Sequence, residues 1–198
     1  MRRSRRWAAL FLLGSATLSG SAVAQNNRGQ GNDDKTCDKA AKILEKGHPK
    51  KKELWAYGTI SGCPDAANLL RAAWADPPSD PEQLHAIAAA TYEVADSRIV
   101  TALLAVVQQT GLPFATRVVT LKLLVSQYNR EKVVGFTSDD STAWVGTIDH
   151  TYQVSGEQPV TIADRQRMRD AFRAMAASDP QPRIRAAAKA IMLEINYF

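Results

Sequence analysis

The sequence predicts an all-α fold: a short right-handed stack of antiparallel helix pairs, interrupted by a small irregular or β-hairpin insert at about residues 132–160. Three observations carry this expectation. Apolar residues recur at helical spacing through most of the chain. Clusters of Asp, Pro and Gly cut that pattern into helix-length pieces. The pieces match one another when the sequence is shifted by 34 residues. With 198 residues, 45% of them hydrophobic and 23% charged, the chain can bury one sizeable core or two small ones. The same balance excludes an acidic disordered tail, a collagen-like chain and a disulfide-dense mini-protein.

The N-terminus has the order of a secretory signal peptide. Four arginines fall within Met1–Arg6, Trp7–Leu13 is apolar, and small residues lead to Ala22-Val23-Ala24. A transmembrane anchor needs roughly 20 mostly apolar residues. Here the apolar run dissolves into Gly14, Ser15, Thr17, Ser19 and Gly20. Cleavage after residue 24 is therefore expected, with an uncleaved anchor as the alternative. Ser4-Arg5-Arg6 hints at a twin-arginine signal, but no Phe-Leu follows, so general secretion to a periplasmic location is expected. The absence of a Cys at the cleavage site gives no support to lipoprotein processing.

Cleavage changes the charge. The full chain has a net charge of +5 and a pI of about 9.3. Residues 1–24 hold four Arg and no acid, so the remainder carries 21 bases against 20 acids, a net of +1. Export and near-neutrality argue against a nucleic-acid partner.

The elements follow in order. Residues 25–34 are polar and Gly-containing and are expected to be a disordered lead-in to a helical domain at 35–198. Cys37, Ala40, Ala41 and Leu44 share a helix face that Gly47 ends. Lys50 to Tyr57 reads as a short second helix carrying Leu54, Trp55 and Tyr57, followed by a turn at Gly58, Gly62 and Pro64. Ala66, Leu69, Leu70, Ala73 and Trp74 line the third helix. The run Asp76–Pro81 stops it and starts a fourth, with Leu84, Ile87, Ala88 and Thr91 inward.

Asp96 or Ser97 can cap the next helix. Its Ile99, Leu103, Val106 and Val107 form one apolar side, and Val100 and Leu104 a second, as in a helix between neighbours. Phe114, Val118, Leu121, Val125 and Tyr128 line the helix after it. The period then lapses through the insert, whose runs around Val133, Trp144 and Tyr152 are β-branched and aromatic. Thr161 with Asp164 marks a helix start. Met168, Ala171, Phe172 and Met175 form its face, and Ile184, Ala187, Ala188, Ile191 and Ile195 form the last.

Shifted by 34, Leu69, Leu70 and Ala73 fall on Leu103, Leu104 and Val107, and Leu84 and Ile87 fall on Val118 and Leu121. Shifted by 66, Arg117, Val118 and Leu121 fall on Arg183, Ile184 and Ala187. Three helix pairs near 64–94, 96–128 and 161–196 thus share a register. In Asp179-Pro-Gln-Pro-Arg183-Ile-Arg185-Ala-Ala-Ala-Lys189-Ala-Ile191, an Asp/Pro turn, an arginine, an alanine run and an aliphatic follow in turn. This stretch resembles the turn and second helix of a HEAT repeat, and Gly111–Val119 and Asp80–Ile87 are looser copies. The resemblance implies a HEAT-like α-solenoid, with a generic helical bundle as the alternative, and residues 36–59 capping one end.

Two cysteines, Cys37 and Cys63, permit one intramolecular disulfide in a secreted protein. It would close a loop of about 25 residues and contribute roughly 3 kcal/mol. Free thiols or a metal pair are the alternatives, but a metal needs more ligands.

No nucleophile elbow, phosphate loop, dinucleotide fingerprint or His-Glu-x-x-His occurs. No enzyme activity and no cofactor are therefore expected. His48, His85 and His150 have no ligand spacing and read as surface or packing residues. Asp139, Asp140, Asp149, His150 and Glu157 gather in the insert without calcium-loop spacing. They leave open an envelope enzyme or metal-binding accessory protein.

Charge is uneven along the chain. Lys35, Lys39, Lys42, Lys46 and Lys50–Lys52 make the N-terminal helices basic. Residues 53–163 carry 6 bases and 12 acids, and residues 164–198 are +3. The expectation is a scaffold that binds a protein or peptide. Trp144, Tyr152, Arg165, Arg169 and Arg173 are its candidate contacts. The two aromatics pinning the insert to the stack, and the charges forming ordinary solvated faces, are the alternatives.

Overall fold

A computed structural model describes residues 34–128, 132–136, 144–149, 154–155 and 157–195. The segment expected to be a signal peptide and nearly all of the expected polar lead-in lie outside the described residues. Eight helices dominate the described residues: α1 (Asp34–Leu44), α2 (Trp55–Ile60), α3 (Ala66–Trp74), α4 (Pro81–Tyr92), α5 (Ser97–Val107), α6 (Phe114–Tyr128), α7 (Ile162–Ser178) and α8 (Pro182–Ile195). A 3₁₀ turn occupies Lys51–Glu53. The strands are β1 (Val94–Ala95), β2 (Lys132–Phe136), β3 (Trp144–Asp149) and β4 (Val154–Ser155).

Helix starts follow from local chemistry. The Asp80 carboxylate accepts from the Gln83 N–H at 2.9 Å, and Pro81 opens α4. Asp96 caps α5 by accepting from the Arg98 N–H at 2.8 Å. Thr161 and Asp164 form the reciprocal capping box of α7, with N–H to side-chain distances of 3.1 and 2.8 Å. Past the end of α1, Gly47 takes φ +105°, a left-handed conformation in which a Cβ would be strained.

Two differences from expectation stand at the N-terminus. Helix α1 begins at Asp34, inside the stretch expected to be disordered. The segment from Lys50 to Tyr57 is a 3₁₀ turn followed by a helix that starts at Trp55. That later start makes Ala56, Tyr57 and Ile60 the buried face and leaves Trp55 40% exposed.

Packing follows a regular order. Helices pair as α1 with α2, α3 with α4, α5 with α6 and α7 with α8. Helix α3 touches α1 and α5, and α5 touches α7. Likewise α4 touches α2 and α6, and α6 touches α8. The sequence reading gave three pairs and a cap; α1 and α2 enter the same order of neighbours as a fourth pair. Helix α2 has only 6 residues, too few to show a period. The core contains Leu70, Ile87, Ile99, Leu103, Leu121, Leu124, Met168, Phe172, Ile184 and Ile191, all buried. Helix α5, apolar on two sides, touches α3, α6 and α7.

Polar links fix neighbouring elements. The buried Trp74 indole donates to Thr91 Oγ1 at 2.8 Å, joining α3 to α4. His48 meets the Asp76 carbonyl through Nε2 and the Tyr57 hydroxyl through Nδ1 at 3.3 Å. A carbonyl only accepts, so Nε2 carries the proton and Nδ1 accepts from Tyr57. His48 is therefore a packing residue that ties the first turn to the second pair.

The deepest link is Arg117, fully buried at the start of α6. Its Nε and Nη2 donate to the Val107 carbonyl, the last residue of α5, at 3.1 and 2.9 Å. Nη1 donates to Asp179 Oδ1 at 3.0 Å, and Nη2 also reaches Oδ2. Asp179 lies in the turn between α7 and α8 and accepts from the Gln181 N–H at 2.9 Å. Gln181 Nε2 in turn donates to the Thr110 carbonyl at 3.2 Å. One side chain thus closes its own helix pair and grips the next.

Cys37 and Cys63 form a disulfide spanning 26 residues, tying α1 to the turn before α3. A loop of that length gives about 3 kcal/mol by chain entropy. Reduction is expected to lower the melting temperature by roughly 6–12 °C; an unchanged calorimetric scan would show that the tie holds nothing. Arg117→Met should cost about 3–5 kcal/mol in denaturant unfolding, because Asp179 is left charged and buried. Adding Asp179→Asn should recover part of this loss. Additive losses would mean the two side chains act independently.

Candidate functional site

The insert leaves the helical body at two roots, and both are clamped. The first is the end of α6. The Tyr128 carbonyl has no partner further along the helix, and Arg165 Nε donates to it at 3.1 Å. Arg169 Nε donates to the Tyr128 hydroxyl, and its guanidinium lies 5.4 Å from the ring centroid. Two cations at a helix C-terminus also complement its dipole. Of the arginines expected to meet a partner, Arg165 and Arg169 are therefore engaged inside the molecule. Arg173 is exposed and pairs with Asp170 at 2.9 Å.

The second root is built on Asp96, buried between α4 and α5. Its carboxylate takes two parallel bonds from Arg98 Nε and Nη2, each 2.9 Å, and one from the Gln158 N–H at 3.1 Å. The Asp96 N–H donates to Gln127 Oε1 at 3.1 Å, and Gln127 Nε2 donates to the Val94 carbonyl at 2.9 Å. Ser97 N–H donates to the Gln158 carbonyl at 2.8 Å, and Arg98 pairs with Glu157 at 3.2 Å. Strand β1 pairs in parallel with β4, Val94 opposite Val154 and Ala95 opposite Ser155. Val160 then enters the core.

Between the roots, β2 and β3 pair antiparallel, with Lys132 opposite Asp149 and Val134 opposite Thr147, and an irregularity between Val134 and Phe136. Trp144 opens β3. Tyr152, Asp139, Asp140 and His150, and with them most of the expected aromatic and acidic residues of the insert, lie outside the described residues. Glu157 is exposed and engaged by Arg98. His85 lies exposed on α4. No group of three or more His, Cys, Asp or Glu among the described residues could hold a metal ion. No helix among them is long and apolar enough to cross a membrane.

Burial perturbs a few titratable groups. Burial pushes Tyr57 up to about 12, and it lowers Lys122 on α6 to about 8. Tyr92 is raised to about 12 by burial and the Glu93 charge. For Asp96, burial opposes ionisation, but bonds from Arg98 and Gln158 outweigh it and lower its pKa. Asp179 is lowered in the same way by Arg117, Gln181 and Arg185. Asp164, also buried, is brought down to about 2 by bonds from Thr161, Arg167 and Ser97.

No family model, no curated protein and no solved structure matches this chain. Its HEAT resemblance rests on its own residues.

Three carboxylates with depressed native pKa values impose an acid limb on stability. Their contribution is complete above the unfolded value near 4 and is lost as pH falls through the native values, near 2 for Asp164. Melting temperature should fall steeply between pH 4 and 2. Asp164→Asn should be less stable at pH 6 and show a shallower limb; an identical limb would mean that Asp164 does not carry it.

Proposed function

We propose that this chain is an exported, non-enzymatic interaction module: a HEAT-like helical solenoid that presents the 132–160 insert to a protein or peptide partner. The single observation that supports it best is the double anchoring of the insert. Arg165 and Arg169 hold one root at Tyr128, and Asp96, Arg98 and Gln127 hold the other around Gln158. Charged and amide side chains fix the ends of a segment whose middle carries Trp144 and Tyr152, the residue types that dominate binding hot spots. The solenoid arrangement is supported by the alternating neighbours of the odd and even helices and by Arg117, which links consecutive pairs. Export is supported by the charged, apolar and small-residue order of residues 1–24 and by the Cys37–Cys63 disulfide.

The test is site-specific photocrosslinking in cells. A photoreactive residue replaces Trp144, and a control copy replaces the exposed Ala174 on α7. A discrete adduct is expected at position 144 and absent at 174. Equal labelling at both positions, or none at 144, would remove the insert as the contact region.

A further inference from the structure

The N-terminal helix pair carries a second surface of different chemistry. Seven of the chain's ten lysines lie between residues 35 and 52, and that stretch contains no arginine. At about 100° per residue, Lys35, Lys39 and Lys42 fall within an arc of roughly 60°. This arc lies on the side of α1 away from the buried Cys37, Ala40 and Leu44. All three are exposed, and exposed Lys46 continues the row into the following turn. Asp34, Asp38 and Glu45 lie along one flank and do not interrupt the row. Beside it, Trp55 is 40% exposed, and Lys39 Nζ lies 5.2 Å from its ring centroid. Exposed Lys50 and Lys52 follow, while Lys51 is engaged by Glu82 at 2.6 Å.

The choice of lysine is informative because the buried carboxylates among the described residues are held by arginine in fixed geometry. Arg98 holds Asp96, Arg117 holds Asp179 and Arg167 holds Asp164. A guanidinium suits a partner with a defined pair of oxygens, whereas an ammonium on a flexible stem suits charge spread over a surface. An indole next to such a row has the amphipathic character that favours the headgroup region of a bilayer. We propose that the α1 lysine row and Trp55 dock this protein peripherally on an anionic phospholipid surface.

The experiment is vesicle flotation of the full chain with phosphatidylglycerol/phosphatidylcholine vesicles, pure phosphatidylcholine vesicles, and soluble polyglutamate as competitor. Residues 1–24 can bind vesicles on their own, so the reading is the loss caused by α1 variants. Each lysine neutralised near an anionic surface weakens binding about five-fold, so Lys39→Gln/Lys42→Gln should weaken it roughly 25-fold. Trp55→Ala should weaken it further, and raising salt should release the protein. Unchanged melting of these variants confirms that the fold is intact. Two results would overturn the proposal. One is binding by the variants equal to that of the parent chain. The other is polyglutamate stripping the protein from vesicles with no effect of Trp55→Ala, which would make an acidic macromolecule the partner instead.

Discussion

A guanidinium taken out of water must find protein acceptors for its donors, and Arg117 on α6 does so by reaching both the end of α5 and the turn between α7 and α8. It bonds the last carbonyl of α5 and both oxygens of Asp179. Apolar packing between α6 and α8 is non-directional and would tolerate small slips of one helix past the other. The forked bonds to a carboxylate tolerate far less. Asp179 then accepts from the N–H of Gln181, the residue that precedes α8, so the approach to that helix and the packing of two pairs depend on the same carboxylate. Desolvation means such a pair adds little net stability. Its consequence is that one relative placement of the α5–α6 and α7–α8 pairs is favoured over its neighbours.

The parts of the fold that could be read from sequence are those with local causes. Asp80-Pro81, Asp96 and Thr161 with Asp164 announce helix starts because the capping bond reaches only two or three residues ahead. The apolar faces of α5, α7 and α8 follow from period, whereas α6 also buries Thr116, Arg117, Thr120, Ser126 and Gln127, which no apolar period marks. What stayed hidden depends on distant partners. Arg117 could be aligned with Arg183, but nothing local points to Asp179, 62 residues away. Arg165 and Arg169 read as surface charge until the end of α6 is placed beside them. Trp55 is expected from sequence with Leu54 and Tyr57 on a helix running from Lys50; the helix starts at Trp55 itself, with Ala56, Tyr57 and Ile60 buried and the indole 40% exposed.

The two basic residue types divide along the same line. Arginine is placed where a carboxylate or a carbonyl waits in a fixed position, at Asp96, Asp164, Asp179 and Tyr128. Lysine collects on the outside of the first helix. A linear charge count treats the two as equivalent and gives only basic ends around an acidic middle. Geometry separates charge that organises the interior from charge left to the surroundings.

The pairing of β1 with β4 joins residues 94 and 154, so everything from α5 to the insert forms one closed loop in the chain. The entropy of closing a flexible loop grows only logarithmically with its length, about 0.6 kcal/mol for each doubling. Because the bonds at Tyr128 and Gln158 hold both ends to the helices, a length change between them that left the strand pairings intact would carry only a small entropic cost. The helical body can stay constant while the segment it carries changes in length and composition. Such a chain can diverge fastest at the element through which it is proposed to meet its partner.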